Sequence, residues 1–263
     1  MFESIVCGVD GSPAGLEALR QASVLRAPEG ELLGLVVCEI HLAVRAGFEA
    51  SHAARRLEKE AEEARATAAA QLDGVPFSTA EIVRGRPVPA LLGALKRRKA
   101  DLLAVGTHGT SRPVAIMFGS VASEMLHQAP CPVLVAREAA DGGPWLPRAI
   151  TVGVDGSDCS LEALGVARAL GERFEAPVRR LACTGGKPVD VDGLSRVEGL
   201  EWDERHPVDA LVAAAAASDI VIVGSRGLHG LASLGSVSER VAHRAACSVL
   251  TIRGMAAGPP ERG

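Results

Sequence analysis

The stretch VGTHGTSRPVAIMFGSVASEML, residues 105–126, has residue types and spacings that suit an anion. Gly106 and Gly109 follow an apolar run ending at Val105. Nine residues later Gly119-Ser120 opens a helical pattern. Glycine tolerates positive φ and lets a ligand lie against bare backbone. The first amides of a helix starting at Ser120 and Val121 lack intrahelical acceptors and carry the positive end of its dipole, which suits a phosphate. Asp10 ends an earlier apolar run. A carboxylate repels phosphate, yet it accepts hydrogen bonds from a neutral polyol such as the hydroxyl pair of a ribose. His108, between the glycines, is placed to reach a phosphate or to face solvent, and Arg226, near the same place in a second such stretch, would be a fixed cation.

That second stretch exists because the chain repeats itself. IVCGVDGSPAGLEAL (5–19) returns as ITVGVDGSDCSLEAL (150–164), and RPVPALL (86–92) as HPVDALV (206–212). ADLLAVGTHG (100–109) returns as SDIVIVGSRG (218–227), and GSVASEMLHQAPCPVLVAR (119–137) as GSVSERVAHRAACSVLTIR (235–253). Same-order self-similarity of this kind marks a tandem duplication. The second copy is shorter: the Ala- and Glu-rich helix former at Ser51–Leu72 has only TGGKPVDVDGLSRVEG opposite it, whose Gly, Pro and Asp signal loop, so that helix is expected to be missing. EAADGGPWLP (138–147) reads as a linker, giving domains 1–138 and 148–254.

Short, nearly all-apolar runs alternate with helical patterns in the first copy. Strands are expected at Ser4–Asp10, Leu32–Cys38, Thr79–Arg84, Leu102–Gly106 and Val133–Arg137, and helices near Pro13–Arg26, Ser51–Leu72, Val88–Arg98 and Ser120–Gln128. Apolar strands separated by helices imply a parallel sheet covered on both faces, hence a doubly wound α/β domain binding ligands beyond the carboxyl ends of its strands. The 263 residues suit two such domains. A net charge of -4 excludes the basic face of a nucleic-acid binder. No apolar run is long enough to span a membrane, and the expected location is the cytoplasm. The six scattered cysteines, with no C-x-x-C pair, read as buried thiols. His127 and His243 recur on the last helix of each copy and are expected on its polar face or at its end. Cys38 and His41 are too few for a metal site, and CTGGKPVD lacks the residues of a phosphate loop.

Gly106, two residues, Gly109, nine residues and Gly119-Ser120, with the VGVDGS openings and the APCPVLV close, resemble the universal stress proteins over nearly the whole chain. The resemblance is to their tandem type. It implies two open five-stranded parallel sheets of order 3-2-1-4-5, an adenine nucleotide alpha hydrolase-like fold, with ATP (or ADP or AMP) at the strand ends. By position, Asp10 would hold the ribose and Val36 would touch the adenine, with Val9 and Val105 as backbone neighbours of the base. Gly106 and Gly109 would line the sugar and phosphates, and Gly119, Ser120 and Val121 would hold the phosphate tail. In the second copy Val154, Asp155, Gly224, Gly227, Gly235, Ser236 and Val237 stand at the matching places. There the glycines are followed by only seven residues, and GRP (85–87) has become RHP (205–207). Ala182 stands where Val36 stood. Magnesium is expected only as a phosphate counter-ion, since no protein ligand set for a metal is evident. The resemblance also implies that the final strands pair between copies as an internal pseudo-dimer, with a further homodimer of tandem chains and an unidentified protein partner.

No catalytic residues are assigned. The sequence holds no P-loop lysine, no paired acidic metal motif and no Gly-x-Ser-x-Gly elbow. The favoured expectation is a nucleotide-binding stress-response switch or scaffold with little or no turnover. A slow ATP hydrolase and a nucleotide-free interaction module are the alternatives. The shortened loop of the second copy predicts unequal sites: in calorimetric titrations with ATP, Asp10→Ala and Asp155→Ala should reduce binding to different extents.

Overall fold

The computed structural model describes residues 1–41, 50–108, 118–139, 142–186, 189–195, 197–225 and 237–253. The first copy runs β1 (Phe2–Val9), α1 (Pro13–Leu25), β2 (Arg26–Cys38), α2 (Ala50–Gln71), β3 (Ser78–Arg84), α3 (Pro87–Arg98), β4 (Leu102–Gly106), α4 (Ser120–Gln128) and β5 (Val133–Ala136). The second runs β6 (Ile150–Gly153), α5 (Asp158–Phe174), β7 (Val178–Cys183), α6 (Val191–Leu194), β8 (Leu200–Asp203), α7 (Pro207–Ala215), β9 (Ile220–Ser225), α8 (Val237–Arg244) and β10 (Ser248–Arg253). Where the first copy has the 22-residue α2, the second has the four-residue α6, so the expected loss of a helix leaves one turn behind.

β2 starts six residues before the expected Leu32, immediately after α1. Its register against β1 jumps between Phe2↔Arg26 and Ser4↔Glu31. The buried Arg26 guanidinium fastens the extra residues, its Nη1 donating to the carbonyls of Ala27 (3.0 Å), Pro28 (3.0 Å) and Gly30 (2.6 Å). Apolar periodicity carries no trace of such an irregular start.

Among the described residues, ten strands form one sheet of order β3-β2-β1-β4-β5-β10-β9-β6-β7-β8. Each half has the order 3-2-1-4-5, and pairing is parallel within each half. The halves meet where β10 pairs antiparallel with β5, Leu250 opposite Leu134. α1, α2 and α5 pack on one face, burying Leu19, Ala64, Ala68 and Ala163 with Ile5, Leu32 and Ile222. α3, α4, α7 and α8 cover the other, around Leu91, Met125, Leu211, Val241 and Val135. Strands covered on both faces are apolar on both, which is why they lack alternation.

The junction is tied by residues that the repeat places in pairs. Arg137 follows β5 and donates from Nη2 to Ala242 O (2.6 Å) at the end of α8. Its counterpart Arg253, at the end of β10, donates from Nη2 to Leu126 O at the end of α4. Each copy thus caps the carboxyl terminus of the other's last helix with a cation, a favourable charge–dipole arrangement. Buried Gln21 joins them, its Nε2 donating to Arg137 O (2.6 Å) and its Oε1 accepting from Ser248 Oγ (2.8 Å). The segment between the copies is anchored as well. Trp145 is buried and donates from Nε1 to Asp219 O (3.2 Å).

The six cysteines are all unpaired, and all but Cys159 are buried. Burial pushes the thiols of Cys131 and Cys247 up to about 12. Replacing Arg137 or Arg253 by alanine leaves helix-end carbonyls without their charged donor, a loss of about 1.5–3 kcal/mol per bond. Urea denaturation should register that loss in each single variant, with the double variant deviating from additivity because both sit on one junction.

Candidate functional site

The turn after β1 is built by its own polar side chains. Gly11 takes φ +79°, and Asp10 Oδ1 accepts from the Ser12 amide (3.0 Å) and from Ser12 Oγ (2.5 Å). Ser12 is the N-cap of α1, its Oγ accepting from Gly15 N (3.0 Å). The second copy repeats the arrangement: Gly156 at φ +84°, with Asp155 Oδ1 accepting from Ser157 N (3.0 Å) and Ser157 Oγ (2.5 Å). Asp10 and Asp155 are therefore exposed carboxylates oriented by one oxygen at the carboxyl end of a central strand. The sequence reading missed Ser12 and Ser157, although aspartate two residues before a helix-capping serine is the local signal for such a turn.

Gly106 has a task in the fold itself. A Cβ there would stand 2.6 Å from the Ala14 carbonyl carbon and 2.9 Å from Gly15 N, so the glycine is required by the first turn of α1 crossing the end of β4. Gly224 repeats this, 2.6 Å from the Cys159 carbonyl carbon and 2.8 Å from Ser160 N. The bare backbone at these positions faces a helix. The crossing brings the aspartate turn to the loop after β4, with Ser12 Oγ 3.4 Å from the His108 carbonyl. The His108 ring is engaged locally, its Nδ1 2.9 Å from Thr107 Oγ1.

The loop from β4 to α4 is closed at its neck by Gly119 N donating to Thr107 O (2.5 Å). Gly119 is the N-cap of α4 at φ -63°, ψ 139° and brings no side-chain acceptor, unlike Ser12 on α1. Ser120 is exposed, and Val121 is half-buried against the α3–α4 face. The amides of a helix start without a side-chain cap can receive an anion, and an exposed carboxylate can accept hydrogen bonds from hydroxyls. Gly109 lies outside the described residues, as do Arg226, Gly227, Gly235 and Ser236. Val237 is the first residue of α8, half-buried against the matching face of the second copy.

Val36 and Val37, at the end of β2, face opposite sides of the sheet. Val36 is 2% exposed and packs into the α1–α2 face beside Ile5 and Val9, so its side chain offers nothing to a ligand. Val105 and Val154 are buried core residues too. Val37 and Val83, paired in register at the ends of β2 and β3, are half-buried on the face shared with Val105. Gly85 follows, and among the described residues no atom lies within 4 Å of where its Cβ would be. In an all-apolar run the sequence does not say which of Val36 and Val37 faces which side.

His127 and His243 sit at helix ends as expected, but turned toward the opposite copy. His127 Nε2 lies 3.0 Å from Glu239 Oε1, and the His243 ring stacks on Phe118 with centroids 4.0 Å apart. Burial, as the largest cause, lowers the His243 pKa, with Glu239 opposing it. Among the described residues no three His, Cys, Asp or Glu side chains converge as a metal site. A depression lined by Arg168, Arg180, Glu198 and Gly199 lies on the α5 side of the second copy, away from the strands' carboxyl ends.

Comparison with known proteins places these features in context. The sequence pattern of the Universal stress protein family matches residues 1–137 and 190–253. A universal stress protein of Mycobacterium tuberculosis is 32% identical over 213 residues, covering 68% of this chain and 70% of the relative. One from Thermus aquaticus is 36% identical over 143 residues, 52% of this chain and 100% of the relative. Among solved structures, a universal stress protein from Archaeoglobus fulgidus superposes with a TM-score of 0.70 at 22% identity, covering 95% of this chain and 96% of its own.

The backbone contact at Gly106 and Gly224 predicts that Gly106→Ala and Gly224→Ala each destabilise the protein by about 2–3 kcal/mol, the cost of overpacking against main chain. Chemical denaturation without any ligand should show the loss, whereas residues that only line a ligand would leave this unliganded stability unchanged.

Proposed function

The chain belongs to the universal stress protein family, and we propose that it binds an adenine nucleotide, ATP foremost, at the carboxyl ends of the first copy's strands. The observation that carries this is the pairing of two half-sites across one crossing: the glycine-capped start of α4 and the exposed Asp10 carboxylate held by Ser12. The amides of Ser120 and Val121 would receive the phosphate tail, Asp10 the ribose hydroxyls, and Val37 with Val83 the face of the base. Thr107 and His108 line the neck, where the imidazole or hydroxyl can meet a phosphate oxygen. Magnesium would arrive with the triphosphate as its counter-ion.

The family and the site chemistry support a binder with little turnover. Phosphoryl transfer needs a fixed cation on the transferred group and a positioned base or water. Among the described residues, this site offers amides, hydroxyls and one imidazole. A cytoplasmic switch or scaffold whose nucleotide state is read by a protein partner, working as a homodimer of tandem chains, is the role proposed with it.

Ser120→Pro tests the phosphate contact. Proline suits the first helical position, and Gly119 already has the extended backbone that precedes proline. The substitution therefore removes one amide donor while sparing the helix. A charge-assisted bond is worth about 1.5–3 kcal/mol, so ATP affinity should fall at least tenfold in calorimetry with the thermal midpoint unchanged. Undiminished ATP binding by Ser120→Pro, or none by the unaltered protein, would overturn the proposal.

A further inference from the structure

We infer that Asp203 and Arg205 close the second copy's crevice to a purine base, so that each chain takes one adenine nucleotide, in its first copy. The inference rests on the nucleotide reading of the first copy and concerns what the duplicated site has become.

Sheet register aligns the two crevices residue by residue. Gly8 pairs with Leu35 in the first copy, and the matching Gly153 pairs with Leu181 in the second. Val37 therefore corresponds to Cys183. Val37 pairs with Val83 and Cys183 with Asp203, so Asp203 stands where Val83 stands, and Arg205 where Gly85 stands. In the first copy the two strand ends give a half-buried apolar floor, and among the described residues nothing comes within 4 Å of a Cβ at Gly85. In the second the floor is a thiol and a carboxylate.

That carboxylate is fully engaged. Asp203 Oδ1 accepts from the backbone N (2.9 Å) and Nε (2.9 Å) of Arg205, and Oδ2 accepts from Nη2 (2.5 Å). The fork-to-carboxylate geometry holds a side chain that is only 14% exposed. The Arg205 hydrogen bonds lower the Asp203 pKa to about 2, so it is ionised at neutral pH. It lies close enough to Cys183 to add to the effect of burial in raising that thiol to about 11. Stacking a base here would cover an ionised pair and strip its remaining hydration, which is costly without new partners. Space is short as well. The loop after β7 lies on the loop after β8, a Cβ on Gly185 falling 2.2 Å from Glu204 O.

The aspartate turn, by contrast, is the same in both copies. The copies differ at the base end, where a substitution removes the apolar surface without disturbing the turn on which α5 starts.

Calorimetric titration of the full chain with ATP reads this directly. One equivalent should bind, and Asp203→Val with Arg205→Gly should raise the stoichiometry toward two. In the first copy, Val83→Asp should weaken ATP binding at least tenfold, while Val83→Ala, which loses contact area but adds no charge, should cost only a few-fold. Two equivalents on the unaltered chain would overturn the inference. So would one equivalent that survives Ser120→Pro, or an unchanged stoichiometry in the Asp203 and Arg205 double variant. No ATP binding by the unaltered chain would overturn the nucleotide reading, and this inference with it.

Discussion

A helix crossing the end of a strand at backbone contact distance organises each half of this protein. At Gly106 and again at Gly224 the main chain of the following layer comes so close that no side chain fits. The approach sets the height of α1 over β4 and, through Ser12, the position of the Asp10 carboxylate beside the neck of the β4–α4 loop. Loosening this crossing would separate the carboxylate from the start of α4. The glycine thus acts on the site through geometry, in the absence of any ligand.

Duplication then solves the edge problem of an open sheet. β5 and β10 would each be an unpaired edge in an isolated copy, and antiparallel pairing joins them into one sheet. The same duplication supplies reciprocal caps, because a residue that reaches across a two-fold-like junction in one direction has a counterpart reaching back. Arg137 and Arg253 do this at the ends of α8 and α4, and buried Gln21 and Ser248 fill the polar space between. The helices that carry the two loop ends therefore touch, with Phe118 of one copy stacked on His243 of the other.

Once joined, the copies were under different constraints. Both keep the aspartate–serine turn at the start of the helix that covers the sheet, though only Ser12 caps that helix with its side chain. The strand ends that pair Val37 with Val83 and Cys183 with Asp203 differ between the copies. There the first copy has the half-buried Val37 and Val83, whereas the second carries a thiol and an ion pair. The loss of the α2 equivalent fits the same pattern: the single turn of α6 still packs on the turn at Gly156, and the remainder of the helix is gone.

Local patterns in the sequence determined the duplication, the parallel doubly wound class, nearly all the elements, and the strand end at Asp10 and helix start at Gly119-Ser120, while the strand order followed from the family resemblance. Each of those patterns is written within a few consecutive residues, as a repeat, a glycine–serine step or an aspartate at a strand end. Tertiary structure alone decided that Val37 and not Val36 faces the crevice, because a strand apolar on both sides carries no parity signal. It also decided that Gly106 is needed by α1, that Trp145 anchors the segment between copies, and that two arginines at strand ends cap distant helices. Those facts depend on contacts between residues far apart in the chain, and such distances are set by packing, which no local pattern records.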